Sequence, residues 1–206
     1  NFVKVVDIYT KFLNQFETIQ LQDMDEVSLL NRTDTKFIFH ENSLNEILYA
    51  LSPYYKILDI NGISQFQYNN IYFDTDDKLF FLQHHNENRK RFKVRFRQYS
   101  DTIDCFFEIK IKNNKNRTIK KRLKVKKGSI VIGEEESNLI KSYVKIDSEK
   151  LSQSLKVNFS RITLVDKNFT ERLTIDKNLI VKNDVNKNLF ENIVIAEIKQ
   201  SKFNTS

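Results

Sequence analysis

Two periods divide the chain. Apolar residues first recur at helical spacing: Phe2, Val5, Val6, Tyr9, Phe12, Leu13, Phe16 and Ile19 share one side of a helix, which predicts an amphipathic helix over 2–19. A second helix is marked by Ser43 and Glu46 at capping-box spacing, by Leu44, Ile47, Leu48 and Leu51, and by Pro53 as its stop. Beyond these, the dominant period is two. Stretches at 35–39, 71–73, 92–99, 103–111, 118–126, 157–165, 170–176 and 193–199 are rich in β-branched and aromatic residues and are bounded by polar turns such as Asn113-Asn114-Lys115-Asn116, so they read as about eight strands. Further helices are predicted at 77–84, 135–145 and 148–155. No repeat or Pro/Ser-rich linker interrupts the series. The expectation is a single α+β domain over 1–206, built around a large antiparallel sheet or barrel and flanked by helices.

Successive side chains of a strand point to opposite faces, so each strand can be read by parity. Phe92, Val94 and Phe96 oppose Lys93, Arg95 and Arg97. Phe107, Ile109 and Ile111 oppose Glu108, Lys110 and Lys112, and Ile119, Leu123 and Val125 oppose Lys120, Arg122, Lys124 and Lys126. Leu173 and Ile175 oppose Arg172 and Asp176; Ile198 opposes Glu197 and Lys199; Arg32, Asp34 and Lys36 alternate with Thr33, Thr35 and Phe37. A face in water accounts for any one of these strands. Rows of like charge on neighbouring strands repel across the ladder, though, and require a compensating anion. A sheet closed with that face inward makes a basic tunnel whose low-dielectric walls focus a positive potential. Single-strand nucleic-acid binders interleave aromatics with their basic residues, whereas Phe92, Phe96 and Phe107 fall on the face opposite the charges. Phosphate without stacked bases fits better, and no DNA is expected. The arginines suit phosphate because the guanidinium fork binds oxygens in pairs.

Composition narrows the chemistry. The 206 residues are 40% hydrophobic and 12% aromatic, with 17 Phe and 8 Tyr, too apolar for a chain that stays unfolded. Lys and Arg number 34 against 27 Asp and Glu, a net charge of +7, which suits an anionic partner. Three widely spaced glycines, Gly62, Gly128 and Gly133, cannot build a Gly-rich dinucleotide or phosphate loop. The single Cys105 excludes an internal disulfide framework and a multi-Cys zinc site. Without an export signal or a long apolar run, a cytoplasmic location is expected. The pair His84-His85 lacks a metal-ligand spacing, and Glu134-Glu135-Glu136 reads as an acidic helix start.

Specific motifs then appear in order. Leu29-Leu30-Asn31-Arg32-Thr33-Asp34-Thr35-Lys36-Phe37, Tyr72-Phe73-Asp74-Thr75, Arg95-x-Arg97 and Glu108-x-Lys110 are followed by Lys120-x-Arg122, Ser160-Arg161, Glu171-Arg172-Leu173-Thr174-Ile175-Asp176 and Glu197-Ile198-Lys199-Gln200-Ser201. Over residues 29–202 this series resembles the catalytic domain of vacuolar transporter chaperone (VTC) proteins, a polyphosphate polymerase of the triphosphate tunnel superfamily that also contains CYTH-type triphosphatases.

The resemblance implies an antiparallel β-barrel whose lumen is the basic tunnel. In the family pattern Lys36, Arg95, Arg97, Lys110, Lys120, Arg122, Arg161 and Arg172 are the catalytic, tunnel-lining residues, Arg32 and Lys199 are further phosphate contacts, and Glu197 and Glu108 are the metal carboxylates for Mn²⁺ or Mg²⁺. The implied partners are ATP or another triphosphate and inorganic polyphosphate, with a membrane partner outside this chain. CYTH-type members begin with ExExK, whereas Arg32-x-Asp34-x-Lys36 stands here, which favours the polymerase branch over the hydrolase branch. A non-catalytic polyphosphate or RNA binder is the third reading. The family's SKY-like final segment is expected to be missing, since Ser206 ends the chain soon after Glu197-Ile198-Lys199.

Overall fold

The computed structural model describes residues 9–26, 32–100, 104–115, 117–183 and 185–201. In chain order the elements are α1 (Thr10–Leu13), β1 (Glu17–Ile19), β2 (Arg32–His40), α2 (Leu44–Leu51), β3 (Tyr55–Leu58), β4 (Gln65–Asp74), α3 (Leu79–His85), β5 (Arg91–Tyr99), β6 (Cys105–Lys112), β7 (Thr118–Val125), α4 (Glu134–Tyr143), β8 (Ser152–Asp166), β9 (Glu171–Lys182), β10 (Lys187–Phe190) and β11 (Ile193–Ser201). They fall into two compact units, 1–66 with 159–179 and 190–206, and 67–158 with 180–189.

In the first unit the strand order is β2-β11-β9-β8, with β3 pairing β8 and β1 pairing β3. All but the parallel β1–β3 pair are antiparallel where their register is recorded. Its core gathers Leu44 and Leu48 from α2, Ile57 from β3, Ile162 and Leu164 from β8, Leu173 and Ile175 from β9, and Val194 and Ala196 from β11. In the second unit the order is β8-β4-β5-β6-β7, over a core of Phe73, Phe92, Val94, Phe96, Phe107, Ile109 and Ile111 closed by Phe80 of α3 and Ile140 of α4. Each Val, Leu, Ile or Phe side chain so removed from water contributes about 1.5–3 kcal/mol. These are the apolar parities read from the sequence.

The antiparallel α+β class is therefore borne out, as a barrel-like fold. Among the described residues the strand order is open, ending in β2 and in β7, rather than a closed ring. Eleven strands stand where about eight were expected; β1, β3 and β10 are too short for alternation to register. The predicted helix over 2–19 is met by α1, but Glu17–Ile19 form a strand that pairs with β3, and the part before residue 9 lies outside the described residues. Ile19 is buried there, so the residue that completed the helical period serves a strand instead. The helix predicted at 148–155 is a 3-10 turn over Ser148–Lys150 followed by β8, because pairing with β4 draws residues from Ser152 onward into the sheet.

Two caps also differ from simple spacing. Ser43 makes no side-chain cap on α2; a 3-10 turn over Glu41–Ser43 leads in instead, and the His40 ring accepts from the Asn42 N–H at 3.2 Å. For α4 the Glu136 carboxylate accepts from the Gly133 N–H at 2.9 Å, half of a capping box. Among the described residues, no helix is long and apolar enough to cross a membrane.

Candidate functional site

In the second unit, register brings the charged parities of four strands to one face. Arg95 stands opposite Tyr72 of β4 and Glu108 of β6; Arg97 stands opposite Asn70; Glu108 stands opposite Arg122 of β7, and Lys110 opposite Lys120. Glu108, 2% exposed, is the centre of this face. Its Oε2 accepts from Arg95 Nε at 2.9 Å and Nη2 at 2.7 Å, and its Oε1 accepts from Arg122 Nε at 2.9 Å and Nη2 at 2.7 Å. Lys120 Nζ lies 2.7 Å from Oε1, and Arg97 Nε lies 3.9 Å from Oε2. Arg95 Nη1 donates to the Tyr72 hydroxyl at 2.9 Å, and Arg97 Nε to Asn70 Oδ1 at 3.1 Å.

The electrostatics follow from this crowding. Burial pushes the Glu108 carboxyl up, but Arg95, Arg97 and Lys120 outweigh it and hold the group well below the usual carboxylate range. Burial, aided by Arg122 and Arg97 and opposed by Glu108, lowers Lys120. Tyr72 is also lowered, because the nearby Arg95, Arg97 and Lys93 outweigh its burial. Four cations thus share one carboxylate, and the face retains net positive charge.

Each guanidinium also lies over a ring: Arg95 over Tyr72 at 5.6 Å, Arg97 over Tyr68 at 5.3 Å and Arg122 over Phe106 at 4.2 Å from the centroids. This corrects one inference from parity. The charged face is not free of aromatics, because Phe106 shares the parity of Glu108, and Tyr68, Tyr72 and Tyr99 join it through β4 and β5. Tyr68, Tyr99 and Phe106 form a chain of edge-on ring contacts at 4.8 and 6.2 Å.

In the first unit, β2, β11 and β9 align another charged face. Glu197 lies between Lys36 and Thr174, and Lys199 between Asp34 and Arg172. The Glu197 carboxylate accepts from Lys199 Nζ through Oε2, while Lys36 Nζ is 3.8 Å from Oε1. Arg161 of β8, over the Phe159 ring, donates to both oxygens of Asp176 at 2.6 Å. Arg32 begins β2, but its side chain lies outside the described residues, as does Lys202.

Of the residues named from the sequence, Arg95, Arg97, Glu108, Lys110, Lys120 and Arg122 thus share one face, and Lys36, Arg161, Arg172, Glu197 and Lys199 lie on the charged strands of the other unit. Sequence reading placed Tyr72 in a strand and a motif without giving it a place at the site, and it missed Asn70 and Tyr68 because β4 begins at Gln65, well before the stretch recognised as a strand. A recess of about 990 Å³ elsewhere in the second unit is lined by Asp76, Asp77 and Asp147 as well as Lys141, Lys145 and Lys150; its mixed charge makes it the weaker anion site.

Comparison with known proteins bears on the fold and the family. No curated protein matches the chain. Among solved structures, a candidate adenylate cyclase from Bacillus halodurans is similar at 13% identity and a TM-score of 0.55, covering 84% of this chain and 81% of its own. A candidate adenylyl cyclase from Hippeastrum, described as having a dominant triphosphatase activity, is similar at 11% identity and a TM-score of 0.50, covering 82% and 79%. At such identities the likeness is one of fold. The VTC domain family matches residues 31–205, so with the fold and the ordered basic strands in place, the chain belongs to the VTC domain family.

Proposed function

We propose that this protein is a polyphosphate polymerase-like phosphotransferase that moves the γ-phosphoryl group of ATP onto the terminal phosphate of a growing chain. The family carries triphosphate-related chemistry. The observation that supports the reading is the Glu108-centred face, where Arg95, Arg97, Lys120 and Arg122 converge with more cationic donors than one carboxylate neutralises. Donor and acceptor are both anions, so the protein's work is to bring them together and stabilise charge spread over the transferring group. An anionic phosphate acceptor needs little help from a base. Arginine forks orient the donor phosphates, and Lys110 and Lys120 of the same face offset charge.

Mn²⁺ or Mg²⁺ fits one residue better than the rest. No group of three or more His, Cys, Asp or Glu side chains that could hold a metal occurs among the described residues. A single carboxylate completed by substrate phosphates and water is the usual way such ions are held. Glu197, whose nearest donors are lysines, would hold the ion, which would supply charge neutralisation across the phosphoryl oxygens.

Incubation with ATP and Mn²⁺ followed by a polyphosphate gel tests the proposal: chains are expected, and free phosphate alone would make the protein a triphosphate hydrolase. A second reading, a polyphosphate or RNA binder without turnover, is favoured by the rings of Tyr68, Tyr99 and Phe106 on the charged face. It predicts RNA binding that tripolyphosphate displaces, with no product from ATP.

A further inference from the structure

Glu108 is the most heavily engaged polar side chain of the described residues. Two donors reach it from Arg95, two from Arg122 and one from Lys120, against the about four lone-pair sites that a carboxylate offers. Those sites are saturated, and a metal ion could be held there only by breaking an arginine contact. The geometry is instructive in another way. Each Glu108 oxygen sits in the Nε/Nη2 notch of one arginine, so both guanidiniums are gripped by the same edge. A guanidinium has five N–H donors and an ammonium three. Arg95 spends two on Glu108 and one on Tyr72, Arg122 spends two on Glu108, and Lys120 spends one. The remaining donors of these three side chains are left for an incoming anion, and the rings under Arg95 and Arg122 limit how far the planes can tilt.

We infer that Glu108 is a positioning residue, an internal counter-anion that fixes the Arg95 and Arg122 forks for phosphate, and not a metal ligand. Tyr72 completes the device by anchoring the third nitrogen of Arg95. Glu108 offsets part of the repulsion among four cations; with phosphate present it keeps the guanidiniums from folding away. The inference rests on the phosphate-binding reading above. It departs from the family expectation that grouped Glu108 with Glu197.

The test is tripolyphosphate binding by calorimetry in EDTA, below the melting midpoint of each variant, together with Mn²⁺ affinity of the protein–tripolyphosphate complex from the EPR signal of free Mn²⁺. Glu108→Gln is expected to weaken metal-free tripolyphosphate binding about tenfold or more, the scale of one charge-assisted hydrogen bond, while leaving Mn²⁺ affinity unchanged. The reverse pattern, metal-free binding intact and Mn²⁺ affinity down about tenfold as for a lost ligand, would overturn it. Should Glu108→Gln fail to fold, Tyr72→Phe decides: about threefold weaker metal-free binding is expected from loss of one anchor, and unchanged binding overturns the inference. A wild-type protein that ignores tripolyphosphate in EDTA would instead sink the phosphate-binding reading, and this inference with it.

Discussion

The charged face of the second unit assigns its side chains different work according to what each touches. Arginines gripped along one edge keep their remaining donors for an anion, whereas Glu197, on the charged face of the first unit, is contacted by Lys199 and Lys36. Glu197→Gln is therefore expected to cut Mn²⁺-dependent turnover about 100-fold or more, by analogy with the cost of losing a metal ligand or its support, while nucleotide binding partly survives; full activity would remove its metal role. A residue outside the face sets a pH effect. His84 lies against the Phe92 carbonyl at 3.1 Å, and burial, with Lys93 and Arg91 nearby, pushes it down to about 4. Between about pH 6.5 and 4 the unfolded chain binds a proton that the folded protein does not, so stability is lost as pH falls through that window. Melting curves across this range should show a shallower loss for His84→Gln than for the wild type; parallel curves would reject the assignment. At this scale the sequence was informative for the charged residues. Lys93, Arg95, Arg97, Glu108 and Arg122 were assigned to one kind of face by parity alone, and Phe106 was legible the same way but passed over. That Glu108 is shared by two arginines and a lysine depends on register between three strands, which parity within one strand does not contain.

Elements act mainly by delivering those faces in register, and their ends are where local chemistry shows. Asp74, the acid of the Tyr72-Phe73-Asp74-Thr75 motif, is 4% exposed, and its carboxylate accepts from the N–H groups of Thr75 at 2.8 Å, Phe80 at 2.8 Å and Phe81 at 2.9 Å. It caps the start of α3 and holds Phe80 against Phe92, rings 5.7 Å apart. Asp74→Ala should cost about 2 kcal/mol, the upper end for a lost cap, or more for the orphaned N–H groups; a melting midpoint equal to wild type would deny that role. Asp166 does comparable work at the β8–β9 turn, accepting from the N–H groups of Asn168, Thr170 and Glu171 around Phe169 at φ +60°. The long strands were readable because apolar alternation over many residues has one good explanation. The elements that were misread, Glu17–Ile19 and the start of β8, are short stretches whose apolar spacing suits helix and strand alike. There the partner strand decides, by satisfying backbone groups that a helix end would leave open.

For the whole molecule, the +7 charge matters through its placement. Tripolyphosphate affinity should fall at least about tenfold between about 0.05 and 0.5 M NaCl, since added salt shortens the screening length from over 10 Å toward 4 Å. Longer phosphate chains, which meet more cations, should show a steeper fall; an affinity indifferent to salt would contradict an electrostatic site. The sequence by itself determined the α+β class, the core-facing parities, the absence of Gly-rich phosphate loops and the ordered motifs of the VTC family, because these depend on residue type and on periods within a single strand or helix. Only the tertiary structure decided the open strand order, the ring under each guanidinium and the saturation of Glu108. Each of those depends on which residues of different strands stand opposite one another, and long-range register is set by the packing of two cores rather than by any local run of sequence.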